Sequence, residues 1–389
     1  MGSAPDLWRF NWPPYLIAAS SAAGLACAAL FYLGPALEAR QAGSFRAMLH
    51  SALGTVPGFC IEIACVVFLV IWTAGLLDTT SIFLGLTISP RPAIHLGLVS
   101  GAVLFLVYFT CRSSAVARFT IKLAAALMIA AFIRVRDGWY AIPFGVEPRG
   151  QDSMAEAAWK VFPEICAFIA PLALLGAIFS ARLRDKRGVK IAAQVGIAGP
   201  VAASLALVTV LSVATYVSRS YLPGSFQRIY VSLASGATRA GNRAVLLLFA
   251  VTMLGLLRFG VSALKQIATA HWTLFGCLIS AIVWLSAHYD PEEVAPALKS
   301  TTEILGAVAA ILTVDALMRR QIHPPRPFDW PATLSLACAM GIPMFIRFWR
   351  PQIDDQYGHP WLLPSYALAF GAHMLARGVE RIGHHSPAA

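Results

Sequence analysis

Residues 298–321 read LKSTTEILGAVAAILTVDALMRRQ, an apolar run that ends in an aspartate and two arginines. In a soluble helix these charges would form an ordinary exposed face. Here the surrounding chain is strongly apolar: 58% of the 389 residues are hydrophobic, 13% are charged, and the mean hydropathy is +0.68. Soluble proteins are nearer half apolar and about a quarter charged. The sequence therefore predicts a polytopic membrane protein, in which each charge near an apolar segment needs a physical explanation.

The apolar residues are grouped in windows long enough to cross a bilayer. A hydrocarbon core about 30 Å thick requires roughly 20 apolar residues per helix, and these windows lack the period of two that strands would show. Eleven windows satisfy this length: 13–37, 56–77, 94–111, 117–133, 161–179, 189–216, 244–261, 267–287, 301–318, 331–348 and 361–376. We predict an all-α bundle of about eleven transmembrane helices. It forms one domain over residues 1–389, with tails at 1–12 and 377–389.

The charge distribution predicts the orientation of this bundle. A formal net charge of +11 would suggest a nucleic-acid partner in a soluble protein, but in a membrane protein it is assigned loop by loop. If the C-terminus is cytoplasmic and the N-terminus outside, the cytoplasmic loops hold most of the basic residues, including the cluster ARLRDKRGVK at 181–190. The arginine-rich loop 217–243 is the exception. We predict a multi-pass protein of the cell (inner) membrane that contacts lipids and binds no nucleic acid.

The stretch at 311–321 then becomes a helix end at the cytoplasmic surface. Arg319 and Arg320 would lie where the negative end of the helix dipole and anionic headgroups both favour cations. Asp315 and Arg319 are four residues apart and would face each other on one side of the helix. We predict that they form a structural ion pair rather than a transport gate.

The sequence carries no recognisable enzyme signature. There is no HExxH, no GxSxG and no Walker loop. The seven cysteines lie in or beside apolar segments without a CxxC pair, which favours free thiols over disulfides or metal ligands. The N-terminus lacks the basic region and cleavage site of a secretory signal. We predict no enzymatic activity, no metal and no cofactor.

Several stretches occur in the same order as in the nucleobase–cation symporter family one, the cytosine and purine permeases. Residues 298–321 resemble the tenth helix of that family, and RPFDWPATLSLACAMGIP (326–343) resembles the stretch that follows. Earlier matches are GSFRAMLHSALGTVPGF (43–59) with FLVIWTAGLLD (68–78) for the lead-in and third helix, 113–133 for the fifth, and 162–197 for the sixth and seventh.

This resemblance implies a five-plus-five inverted-repeat fold. It also implies a secondary transporter of a small organic solute, such as a nucleobase or related heterocycle, that works by alternating access with H⁺ or Na⁺. One predicted span precedes the helix that resembles the third, so the first repeat is expected to be incomplete. The alternative is a non-transporting homologue that acts as a membrane scaffold or solute sensor, because Leu76 replaces the family's glutamine and other polar recognition groups are missing.

The candidate substrate-binding residues are Trp72, Pro171 and Gly176. Trp72 fits the position of the family's tryptophan that stacks on a planar substrate, although tryptophan is also common in cores and at interfaces. Pro171 removes a backbone donor and Gly176 permits close approach, so the fifth span is a candidate broken helix; an ordinary proline kink is the alternative. Asp78 is expected just after the third helix, at its outer end.

Glu62 and His271 are the candidates for ion or proton coupling. An acid inside a span is a functional hypothesis by default, but Glu62 would also be accommodated at the cytoplasmic end of its helix. His271 follows a weakly apolar stretch with Arg258 and Lys265 and would carry protons in a vestibule or lie in a hairpin between two spans. The oligomeric state is not predicted.

Overall fold

The computed structural model describes residues 28–29, 31–88, 101–107, 115, 118–119, 122–123, 126, 170–181, 183, 185–191, 239–267, 272–288, 291–318, 326–349 and 362–385. Within these ranges the regular structure is entirely helical. The helices are α1 (Phe45–Leu53), α2 (Thr55–Ile88), α3 (Lys186–Ile191), α4 (Arg239–Ile267), α5 (Trp272–His288), α6 (Pro291–Leu317), α7 (Trp330–Trp349) and α8 (Leu362–His385). Shorter helical stretches lie at 31–42, 101–107 and Ala170–Ser180.

The predicted windows coincide with these helices wherever both are described. Windows 56–77, 244–261, 267–287, 301–318, 331–348 and 361–376 correspond to α2, α4, α5, α6, α7 and α8. By length and composition, the stretch Thr55–Asp78 is the one segment of the described part that is long and apolar enough to span a membrane. The prediction that α2 ends just before Asp78 is wrong, because the helix continues to Ile88.

The turn between α1 and α2 is held against the segment before α7. Gly54 ends α1 with φ +93°, and a Cβ there would lie 2.8 Å from the backbone of Phe328 and Asp329. Only glycine fits both this conformation and this contact. The Thr55 amide donates to the Arg326 carbonyl at 2.8 Å, and the Asp329 amide donates to Leu53 at 3.2 Å. The starts of α2 and α7 are therefore joined by backbone hydrogen bonds.

The amphipathic helix α1, predicted as the lead-in to the third helix, has an ordinary N-terminal cap and one buried face. The Ser44 hydroxyl accepts a hydrogen bond from the Ala47 amide at 3.1 Å, which satisfies one of the free donors at a helix start. The buried face contains Phe45, Met48, Leu49, Ala52 and Leu53. The opposite face leaves Arg46 exposed.

The last three helices meet through small residues and a capped start. Gly306 of α6 lies directly against the Leu362 side chain at the start of α8, and α7 packs along α8. Asp329 caps α7, since its carboxylate accepts from the Ala332 amide at 3.3 Å. These contacts bring the end of α6, the start of α7 and the last turns of α8 together.

The chain divides into two compact units. The first unit comprises 1–18, 69–157 and 202–295, and the second comprises 19–68, 158–201 and 296–389. The division falls within α2 and near the start of α6. The single domain over 1–389 remains a prediction.

Candidate functional site

Trp72 lies in the first unit and packs against α4. Its side chain is buried, with 6% of its surface exposed. Its ring meets Phe259 edge-on, with ring centres 6.2 Å apart and planes at 87°. A Cβ on Gly260 would lie 3.3 Å from the Trp72 ring, so a small residue at this position lets α4 approach α2 closely.

Thr73, next to this tryptophan, has an unusual hydroxyl group. Thr80 and Ser81 of the same helix donate to the carbonyls four residues before them, at 2.6 and 2.7 Å. The fully buried Thr73 hydroxyl has no hydrogen-bond partner within the described ranges. A buried polar group without a partner is unfavourable by about 1–3 kcal/mol. The Thr73 hydroxyl faces α4, where a Cβ on Gly260 would lie 2.5 Å from the hydroxyl oxygen, and no spacing in the sequence distinguishes it from the other small polar residues of α2.

Leu76 is also buried, one turn after Trp72. At this position the chain contributes only an apolar surface. Polar recognition next to Trp72 would therefore depend on other groups, and Thr73 is the one found among the described residues of α2 near this tryptophan.

Pro171 and Gly176 lie in the second unit, on the Ala170–Ser180 helix. This helix is continuous through both residues, so any break in this span would come before Ala170, outside the described residues. A Cβ on Gly176 would lie 3.3 Å from the ring of Tyr32, and the hydroxyls of Tyr32 and Ser180 are 2.7 Å apart. Gly176 thus accommodates an aromatic ring of the 31–42 helix, which the sequence patterns did not indicate. A joint site of Trp72 with Pro171 and Gly176 remains a prediction.

Glu62 is partnered by two basic side chains of α1. Its Oε2 lies 3.3 Å from Arg46 Nε and 3.7 Å from His50 Nε2. The Glu62 side chain is 11% exposed, whereas that of Arg46 is 60% exposed. Neither Glu62 Oε2 nor His50 Nε2 makes a well-aligned hydrogen bond to any described residue. These contacts of Oε2 are therefore electrostatic rather than aligned hydrogen bonds.

His271 lies outside the described residues, in the connection between the end of α4 at Ile267 and the start of α5 at Trp272. A role for His271 in proton coupling remains a prediction.

Asp315 is the centre of a buried charged network. It is 1% exposed, and its Oδ1 lies 3.0 Å from Nε2 of His373 and 3.3 Å from Nε of Arg377. The predicted partner Arg319 lies outside the described residues, so that pair remains a prediction. The partners found lie on α8, where His373 and Arg377 are four residues apart and face the same side. This spacing was the signal that sequence reasoning missed.

Arg377 connects Asp315 to two further carboxylates. Its Nη2 donates to Asp329 at 2.8 Å and its Nη1 donates to Glu380 at 2.7 Å. Arg377 directly follows the predicted span 361–376. Burial lowers the pKa of its guanidinium, but the carboxylates of Asp315, Glu380 and Asp329 raise this pKa by more, and the net direction is upward. The arginine therefore stays charged and fixes the end of α6 to the start of α7 and to α8.

A cavity of about 420 Å³ lies beside this network. Its lining comprises Arg326, Pro327, Phe328, Asp329, Trp330, Pro331 and Glu380. The rings of Phe328 and Trp330 stack with centres 6.3 Å apart. The lining includes the cap of α7 and the outer member of the charged network, but none of the predicted substrate-binding residues.

Comparison with known proteins supports the fold. No family model and no curated protein matches the chain. Among solved structures, it is similar to Mhp1, a nucleobase-cation-symport-1 family transporter in a closed conformation with bromovinylhydantoin bound. The TM-score is 0.68 with 14% identity, over 98% of this chain and 89% of that chain. At this identity the likeness concerns the fold alone: the chain is an all-α polytopic membrane protein with a transporter fold.

Proposed function

We propose that this protein is a secondary transporter that moves a small organic solute across the cell membrane by alternating access. The observation that carries the proposal is the likeness to a solved transporter over 98% of the chain. Transporters of this kind bind their solutes near the middle of the bilayer and move one group of helices against another. The C-terminus is proposed to be cytoplasmic.

The proposed solute is a planar heterocycle such as a hydantoin or a nucleobase. Trp72 supplies a large aromatic surface on which a flat ring can stack. The Thr73 hydroxyl, without a partner among the described residues, can donate or accept one hydrogen bond beside it. Because Leu76 contributes no polar atom, the preferred solute has few hydrogen-bonding groups on that side. Pro171 and Gly176 are proposed to contribute from the second unit.

Coupling to an ion is proposed through Glu62, with His271 as the second candidate. A carboxylate held by an exposed arginine and a histidine can take up a proton without leaving a fixed hydrogen bond unmade. Protonation of Glu62 would release Arg46, which already reaches the solvent. H⁺ is the ion that these side chains favour, and Na⁺ is the alternative for a carboxylate.

The first test is thermal unfolding of the purified full-length protein in detergent with a panel of hydantoins and nucleobases. A stacking solute raises the melting temperature of the wild type but not of Trp72→Ala, because binding stabilises only the folded chain that carries the site. Trp284→Ala is the matched control, since Trp284 lies on α5 in the same unit and is 54% exposed. This control keeps the ligand-induced shift.

Uptake into proteoliposomes then separates transport from sensing. A solute that stabilises the protein should also accumulate in vesicles containing wild type, and more slowly in those containing Trp72→Ala. Binding without uptake in either ion gradient would contradict transport and favour the solute-sensor alternative. An equal shift in wild type and Trp72→Ala would contradict the proposed position of the site.

A further inference from the structure

Both ring nitrogens of His373 lie within hydrogen-bonding distance of another side chain. The residue is fully buried on α8, in the second unit. Its Nδ1 lies 3.3 Å from the Ser335 hydroxyl of α7, and its Nε2 lies 3.0 Å from the Asp315 carboxylate of α6. The imidazole therefore connects the three successive helices α6, α7 and α8.

The protons available at these contacts can be counted. Ser335 donates its single hydroxyl proton to the Pro331 carbonyl at 2.6 Å. Its oxygen can then only accept from His373, so Nδ1 must carry a proton. The contact between Nε2 and Oδ1 needs a proton of its own, since two lone pairs would otherwise face each other at 3.0 Å. One proton therefore lies between Nε2 and Oδ1, bonded either to the imidazole or to the carboxyl group.

The charges around the ring favour keeping this proton. The elements packed against His373 contribute Asp315 from α6, Asp329 from the start of α7, and Arg377, Glu380 and Arg381 from α8. Arg381 donates to the carbonyl of Met318 at 2.6 Å. The Arg377 guanidinium contacts all three carboxylates, of which Asp315 and Asp329 are buried and Glu380 is 36% exposed.

We propose that His373 and Asp315 form a proton-binding site that ties α8 to the end of α6. The site is independent of any solute and of Glu62 and His271. While the proton is bound, the imidazole bridges Asp315 and Ser335. When it is lost, the contact between Nε2 and Oδ1 becomes repulsive, and the packing of α8 against α6 loosens. The assembly of these three helix ends would therefore depend on pH.

Nitrogen NMR of the full-length protein, labelled at histidine and held in detergent, tests the proposal directly. A free imidazole is neutral at about pH 8, well above its usual pKa of about 6.5. His373 should still show the signature of a ring protonated on both nitrogens, or of a strong shared proton at Nε2. The signal is assigned as the one missing from His373→Gln. If every signal at this pH has one bare nitrogen without a shared proton, the proposal is overturned.

Thermal unfolding provides the second measurement. A proton that bridges His373 and Asp315 stabilises the fold only while it is bound, and this stabilisation is lost as pH rises. We expect the wild-type melting temperature to fall by roughly 2–4 °C more than that of His373→Gln between about pH 5 and pH 8. Glutamine offers an N–H to Asp315 that does not titrate.

His288→Gln is the matched control, because His288 ends α5 in the first unit, whereas His373 and Asp315 lie in the second. It should keep the wild-type dependence on pH. An unchanged pH dependence in His373→Gln would contradict the proposal. If that variant does not fold, the NMR spectrum of the wild type decides.

Discussion

Two buried carboxylates of the second unit have similar partners and different surroundings. Glu62 and Asp315 each face one arginine and one histidine. The arginine beside Glu62 is 60% exposed and its histidine is 3.7 Å away, whereas both partners of Asp315 are buried and hydrogen-bonded. Because water screens the first pair, its energy is small and its geometry is loose. In the cluster around Asp315, the stability of each buried charge depends on its contacts with the other members.

This difference shows that the role of an acidic residue in an apolar helix depends on how deeply its partners are buried. A buried charge whose partners are also buried is strongly destabilising when one partner is removed. A buried charge with an exposed partner can be neutralised or transferred at lower cost. We therefore interpret the region around Asp315 as an anchor that holds a proton, and the region around Glu62 as the more exchangeable of the two.

The largest expected effect is that of Asp315→Asn. The change removes the buried negative charge that faces both His373 and Arg377, and Arg377 keeps only Asp329 and Glu380 as charged partners. We expect a loss of about 3–5 kcal/mol in the free energy of unfolding. Denaturant unfolding of the purified protein, followed by intrinsic fluorescence, measures it. A loss below about 1 kcal/mol in the free energy of unfolding would mean that this network contributes no more to stability than an exposed ion pair does.

An intermediate effect is expected at the turn that joins α1 and α2 to the start of α7. Gly54→Ala places a Cβ 2.8 Å from backbone atoms of Phe328 and Asp329, at a φ of +93°. We expect a loss of about 2–4 kcal/mol from strain and overpacking together. Gly43→Ala is the matched control, because its φ is +75° but a Cβ there meets nothing within 4 Å.

Melting temperatures of these two variants separate the contact from the conformation. Gly43→Ala should lose only the conformational part, about 1–2 kcal/mol. Equal losses in both variants would mean that the turn does not depend on its contact with residues 326–329. In that case the joint between the two carboxylate regions would be weaker than the distances suggest.

The smallest expected effect is that of Glu62→Gln. Glutamine keeps the size of the side chain. Arg46 loses its charged partner but remains solvated. We expect a change of about 1 kcal/mol or less in the free energy of unfolding, with Arg46→Gln giving a similar value. The same fluorescence-monitored denaturation measures both. A loss as large as that of Asp315→Asn would contradict the distinction between the two carboxylates.

Much of the fold could be predicted because its signal is local. Runs of apolar residues indicate helices wherever they lie, and α2, α4, α5 and α7 were found in this way. The position of Asp315 at a helix end also followed from its own neighbours. The end of α2 was misjudged at Asp78 because the charge suggested a boundary, whereas the helix continues.

The partners of the buried charges could not be predicted in the same way. The sequence suggested Arg319 for Asp315 because residues four apart on a helix are neighbours. The arginine found beside it, Arg377, is 62 residues away along the chain, and His373 is 58 away. Only the packing of α8 against α6 brings them together.

The sequence by itself thus determined that this is a helical membrane protein with few charges near its helices, since hydrophobic transfer depends on composition over one window. Which of those charges are anchored and which can exchange was decided by the tertiary structure. The electrostatic energy of a charge depends on the distance and burial of its partners, and these are properties of the packed helices rather than of any single one.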